Sequence, residues 1–199
     1  MPAVQGASVF VNPLTVVGFV DTMRSEGHSA IVHTAAGSQL GRMLVKYCKA
    51  EGVPLVNIVR SEAAVAGLTE IGAENIVNSS AETYKADLLA ACAATGATIG
   101  FDATGGGTLA TEIIQAMEGA LKINGTGVIH PAYGNNTHKQ VYRYGGLQPG
   151  NTEIGAVSLI FPPSSHTSLI SLISLSFISR FSMIFTQAPW AWRGALVAG

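Results

Sequence analysis

The chain has 199 residues, of which 48% are hydrophobic and only 12% charged, with a formal net charge of −1. That length suits one large domain or one domain plus an appendage and buries a real core, and the apolar content argues against a disordered chain. Without a basic surplus it is no general nucleic-acid binder.

Residues 12–23 read as a helix with Pro13 in its first turn, where a missing N–H costs nothing. Residues 29–33 form a compact β-rich run, followed by Leu40, Met43, Leu44 and Tyr47 at helical spacing over residues 39–51. Gly52 stops that helix and Pro54 opens a second strand over residues 55–59. A helix over 63–71, a short strand at 75–77, a helix over 85–94 and a strand over 97–103 come next. Residues 109–121 place Ile113, Met117 and Leu121 on one helical face. The last strand of the series is expected at 126–130, with 140–144 as one further candidate. This β-α alternation, with continuous Val/Ile runs rather than alternating ones, predicts an α/β fold with a doubly wound parallel sheet.

Cys48 and Cys92 are isolated and fall in helical stretches, which predicts buried thiols in a reducing compartment. The five histidines are scattered without ligand spacing, so no metal site is expected. A basic n-region is lacking at the N-terminus, and a cytoplasmic location is the default expectation.

In a doubly wound sheet a ligand sits beyond the carboxyl ends of the strands. The first such turn is Thr34-Ala-Ala-Gly-Ser-Gln-Leu-Gly41, with Ala35, Ser38 and Gly41 at a three-residue repeat. Small residues there let backbone approach a pyrophosphate, and the helix N–H groups supply an anion site. Plain helix–strand packing also calls for such a turn. At the end of the second strand, Arg60 and Ser61 stand where NAD-specific folds carry an acid. A guanidinium and a hydroxyl suit a 2′-phosphate, which favours NADPH over NADH. The plainer alternative for Arg60 is a solvated strand-end cation. Asp102, ahead of Gly105-Gly-Gly107, serves either as a turn residue or as a direct ligand contact.

Asn12-Pro-Leu-Thr15, His33-Thr-Ala-Ala-Gly-Ser-Gln-Leu-Gly41, Val56-Asn-Ile-Val-Arg60, Gly72-Ala73, Phe101-Asp-Ala-Thr-Gly-Gly106 and Lys139-Gln-Val-Tyr-Arg-Tyr-Gly-Gly-Leu147 occur in this order. Together they resemble the cofactor domain of medium-chain dehydrogenase/reductases, most of all their zinc-independent, quinone oxidoreductase-like branch. The resemblance implies a Rossmann-type dinucleotide-binding domain over residues 12–153, behind an N-terminal extension of residues 1–11. It implies Thr15 near the cofactor, Ala35, Ser38, Gln39, Leu40 and Gly41 at the phosphate turn, and Arg60 and Ser61 at the adenosine phosphate. It places Ala103 and Thr104 beside the nicotinamide ribose, and Tyr133 and Gly134 beside the nicotinamide. NADP is the implied cofactor. The activity implied is reduction of a carbonyl, enone or quinone by hydride transfer. A small-molecule substrate is implied if a catalytic domain is present, and a homodimer could form through a sheet edge at residues 140–147. Members of the family carry a catalytic domain ahead of this one, and nothing of that kind precedes Asn12. Cofactor binding with little or no turnover is therefore expected of this chain alone. A non-catalytic nucleotide-binding module or fragment is the alternative. No Tyr-x-x-x-Lys pattern occurs, which disfavours the short-chain reductases.

Residues 154–199 depart from this pattern. From Val157 to Gly199 only Arg180 and Arg193 carry side-chain charge, and Pro162-Pro163 introduces a Ser/Leu/Ile/Phe-rich run. Residues 169–185 approach the length and apolarity of a membrane span, but the serines and Arg180 count against one. Ala191-Trp-Arg-Gly194, shifted by one base, can encode Met-Ala-Trp, similar to the segment after the Tyr-Gly-Gly-Leu region in relatives. The expectation is a departure from the family reading frame near residue 154, which the transcript sequence would test.

Overall fold

A computed structural model describes residues 10–130 and 134–154. The residues expected to form a tail of doubtful fold, from 155 on, and Tyr133 lie outside the described residues, as do residues 1–9 of the N-terminal extension. The chain begins with helix α1 (Val11–Ser25) and strand β1 (Ile31–His33), then α2 (Gln39–Glu51) and β2 (Leu55–Val59). It continues through α3 (Glu62–Thr69), β3 (Asn75–Asn78), α4 (Tyr84–Thr95) and β4 (Ile99–Asp102) to α5 (Leu109–Ile123). Short strands β5 (Ile129–His130) and β6 (Gly134–Asn135) precede β7 (Gln140–Arg143).

The central sheet has five strands in the order β3-β2-β1-β4-β7, every neighbouring pair parallel. Because side chains alternate along each strand, the sheet has two buried faces. Val32, Val56, Ile58, Val77 and Val141 pack under α4 and α5. Ile31, Leu55, Val59, Ile99 and Phe101 face α1, α2 and α3. Helices on both faces make this the doubly wound parallel sheet that the sequence predicts. Gly100 is one of the positions where this packing needs glycine. A methyl group there would stand 3.2 Å from Val141 and 3.4 Å from Ile113, where α5 crosses the sheet. On the other face Phe19 of α1 stacks on Phe101 with ring centroids 4.1 Å apart. Each such fully buried ring contributes about 1.5–3 kcal/mol by leaving water.

The bounds of α2 and β2 are those the sequence predicts, because both are fixed by local chemistry. Ser38 caps α2, accepting the Gly41 N–H at 3.1 Å, and Gly52 ends it at φ 66°. Both cysteines are free and buried, and burial pushes each thiol up to about 12. Among the described residues, no helix is long and apolar enough to cross a membrane.

The fifth strand corrects the sequence reading. Residues 126–130 do not join the parallel sheet; Ile129–His130 pairs antiparallel with Gly134–Asn135 in a separate hairpin. Gln140–Arg143 takes the place beside β4, with Ile99 opposite Gln140 and Asp102 opposite Arg143. The reason lies in side-chain hydrogen bonds that compete for the backbone. Asn136 Oδ1 accepts the Val128 N–H at 2.9 Å, Asn135 Nδ2 donates to the Thr126 carbonyl, and Gly125 and Gly127 take left-handed φ. A buried ion pair then fastens the hairpin to α5. Lys139 Nζ lies 2.9 Å from Glu118 Oε2 and also donates to the Asn135 and Thr137 carbonyls. Glu118 Oε1 accepts the Asn135 N–H at 2.9 Å. Residues 140–147, read as a pairing edge, thus begin with β7, which ends the described sheet.

Candidate functional site

The carboxyl ends of β1, β2, β4 and β7 meet along one rim, and α2 starts there. After β1, Ala35 turns the chain at φ 50°, in the left-handed region that alanine enters at a cost. Ser38 N–H then donates to the Ala35 carbonyl at 3.0 Å, and Ala36 N–H to the Ile58 carbonyl of β2 at 3.1 Å. This tight turn delivers the chain into α2, whose first-turn N–H groups at Gln39 and Leu40 have no intrahelical acceptor. Gly41 is obligatory, since any side chain there would run into the Ala36 backbone. Uncapped N–H groups at a helix start, reached over small residues, fit a phosphate.

Asp102 resolves to the turn reading. Its Oδ1 accepts the Thr34 hydroxyl and the Thr104 N–H, both at 2.8 Å, and its Oδ2 accepts the Gly105 N–H at 2.9 Å. The Thr34 hydroxyl oxygen in turn accepts the Ala103 N–H at 2.8 Å. These bonds lock the ends of β1 and β4 together. Ala103 and Thr104 keep their places on the rim, next to the turn that follows β1.

The strand exchange moves the far end of the site. Beyond β7, Tyr144-Gly-Gly-Leu147 runs over the end of β4, with Leu147 and Gln148 N–H groups donating to the Ala103 and Thr104 carbonyls at 3.1 and 2.9 Å. Gly145 lies so close to Ala103 that an added methyl would stand 2.5 Å from its carbonyl oxygen. Gly134 sits elsewhere. Its hairpin is anchored through Asn135 and Lys139, just ahead of Gln140, whose N–H bonds Thr98 at the amino end of β4. The position expected beside the nicotinamide is thus at the opposite end of the sheet, because 126–130 is not its fifth parallel strand.

Below the rim, His33 is fully buried between Phe19 and Tyr144, and its Nε2 lies 2.7 Å from the Tyr144 hydroxyl. Burial holds its pKa down to about 3, so the ring is neutral. Burial foremost, then the nearby Asp102 charge, raises the Tyr144 phenol. Thr15 lies one helical turn before Phe19, with its hydroxyl bonded to the Val11 carbonyl at 2.9 Å.

At the other end, Arg60 and Ser61 follow β2 on the exposed rim. Ser61 caps α3, accepting the Ala64 N–H at 3.3 Å. The end of β3 is stitched to them: Ser79 and Ser80 hydroxyls donate to the Val59 and Arg60 carbonyls, each at 3.0 Å.

The chain matches no family model and no curated protein. Solved structures do match. A protein described as an NADPH:quinone reductase from Mesorhizobium loti is 31% identical, with a TM-score of 0.60 over 74% of this chain and 38% of its own. This likeness bears out the resemblance to the medium-chain dehydrogenase/reductase superfamily. Another NADPH:quinone reductase so described, from Bacillus thuringiensis, and an enoyl thioester reductase mutant from Candida tropicalis share the fold at 16% identity, with TM-scores of 0.54 and 0.52. The chain spans about four-tenths of the length of these structures.

Within this domain the structure brings together Ala35, Ser38, Gln39, Leu40, Gly41, Arg60, Ser61, Ala103 and Thr104, with Thr15 nearby, and leaves out Gly134. Sequence reasoning missed Tyr144–Gly145–Gly146–Leu147 and the polar end of β3. A glycine pair directly after a Val-Tyr-rich run was the available signal for the first. A separate cavity of about 280 Å³, lined by Cys48, Lys49, Asn57 and Glu74 among others, lies by the starts of β2 and β3, away from this rim.

Proposed function

We propose that this chain is the NADP(H)-binding domain of an oxidoreductase that reduces a carbonyl, enone or quinone substrate. The observation that carries this reading is the single rim on which Arg60, the α2 start, Ala103–Thr104 and Tyr144–Leu147 lie in succession, following the strand order β2-β1-β4-β7. The first-turn N–H groups of Gln39 and Leu40 bind the pyrophosphate, over a turn kept open by Gly41. Arg60 and Ser61 take the adenosine 2′-phosphate by charge-assisted hydrogen bonds. Residues 103–104 border the nicotinamide ribose, and residues 144–147 border the nicotinamide in place of Tyr133 and Gly134. When bound, the nicotinamide supplies the hydride. The chain's own residues bind and orient it. The neutral His33–Tyr144 pair fixes the floor beneath that end without adding charge. The name of the Mesorhizobium loti neighbour supports the cofactor and the substrate class.

Fluorescence titration tests the reading. Arg60→Ala should weaken NADPH by about 1–3 kcal/mol and leave NADH nearly unchanged, as for a charge-assisted contact. Equal losses for the two cofactors would remove the 2′-phosphate role.

A further inference from the structure

The end of β3 holds a contact that bears on cofactor choice. Glu62, the first residue of α3, sits two positions after Arg60, where its carboxylate could swing in front of the guanidinium. It does not. Asn78, the last residue of β3, donates from Nδ2 to Glu62 Oε1 at 2.5 Å. Asn78 is itself held from the other side, its Oδ1 accepting the Ser80 N–H at 3.0 Å. Ser80 completes the loop by donating its hydroxyl to the Arg60 carbonyl. Among the described residues the ion pairs are Arg24–Glu51, Lys122–Glu118 and Lys139–Glu118, and Arg60 takes part in none. The acid nearest in sequence to Arg60 is thus bound to a neutral amide rather than to the arginine.

We infer that Asn78 is a specificity-determining residue: by clasping Glu62 it keeps the Arg60 guanidinium available to a 2′-phosphate, and so sets NADP(H) over NAD(H). This rests on the cofactor reading proposed for the rim. The physical case is a competition. Released, the Glu62 carboxylate would both pair with Arg60 and repel a phosphate dianion arriving at the same place. Exposed charges at this separation interact weakly in water, so the effect is selective rather than absolute. Glu62 also faces the positive end of α3, which keeps it near the site even when Asn78 is removed.

The test is a set of cofactor titrations by NADPH and NADH fluorescence, with thermal melts to monitor folding. Asn78→Ala should weaken NADPH by roughly 3–10-fold and move NADH by less than about twofold, the scale of an exposed charge contact. Asn78→Asp is isosteric and keeps the acceptor for Ser80, but sets a like charge against Glu62. It should weaken NADPH at least as much. Glu62→Gln added to Asn78→Ala should restore NADPH affinity to within about twofold of the parent, because the competing charge is gone. Equal losses for both cofactors, or no rescue by Glu62→Gln, would overturn the inference. Its failure is separable from that of the cofactor reading. If Arg60→Ala is selective for NADPH and both Asn78 variants are silent, the clasp is wrong and the 2′-phosphate site stands. If Arg60→Ala is not selective, the site itself is wrong.

Discussion

Lys139→Met should lower the unfolding free energy by about 3–5 kcal/mol, the cost of leaving one charge of a buried pair without its partner. The Lys139 side chain is 1% exposed and the Glu118 side chain 7%. Methionine fills the same channel, so the loss is electrostatic rather than a cavity. The ammonium ties three things together: the Glu118 carboxylate on α5 and the carbonyls of Asn135 and Thr137 that close the hairpin. Without it, Glu118 keeps the Asn135 N–H and the half-exposed Lys122, 3.3 Å away. Burial by itself would raise the Glu118 pKa, but Lys139 first, then Asn135 and Lys122, reverse that and hold it lowered. Its contribution is therefore present above the ordinary carboxyl range and lost as pH falls through the lowered value. Urea unfolding of the single variant and of Glu118→Leu/Lys139→Met checks the argument. The double variant should recover most of the loss, since an apolar pair of similar volume replaces the ion pair. A single-variant loss below about 1 kcal/mol would show that the pair does not anchor the hairpin.

The second large effect is acid sensitivity through His33. Its pKa falls from 6.5 to about 3 on folding because the ring is wholly buried. The unfolded chain thus binds a proton that the folded chain refuses throughout this window. The His33 contribution is fully present above pH 6.5 and declines as pH falls toward 3. The slope approaches about 1.4 kcal/mol per pH unit where the unfolded histidine is protonated. His33→Gln removes the titration while keeping a polar partner for the Tyr144 hydroxyl. Between pH 6 and 4 the parent should lose roughly 2 kcal/mol more than this variant, by the same linkage. Parallel stability curves would mean that the ring is reached by solvent or protonated in the fold.

How much of this was legible in the sequence depended on how local the deciding contacts are. Ser38, Gly52 and Pro54 bracket α2 and start β2 from within a few residues, so those bounds could be read directly. The fifth strand could not be read this way. Residues 126–130 and 140–144 are both short β-prone runs, and what separates them is Asn135, Asn136 and the Lys139–Glu118 pair, which act across the fold. Choosing the first run placed the nicotinamide end at Gly134 and away from Tyr144–Gly145–Gly146–Leu147. Asp102 was ambiguous for a similar reason, since its partner Thr34 is 68 residues away. The place of Arg60 and Ser61 at the end of β2 was legible because a strand end followed by a helix start has a local signature. Asn78 was not, because an asparagine at a strand end looks like any turn residue until its partner on α3 is known.

The central claim is that a dinucleotide lies along the rim from Arg60 to Leu147. Backbone amide chemical-shift mapping of the full chain during titration with NADP tests it most directly. Saturable shifts are expected at residues 38–41, 60–61, 103–105 and 144–147, with Gly134 and Asn135 unmoved. Shifts centred on Gly134 and Asn135, or none along the rim at saturating cofactor, would contradict it.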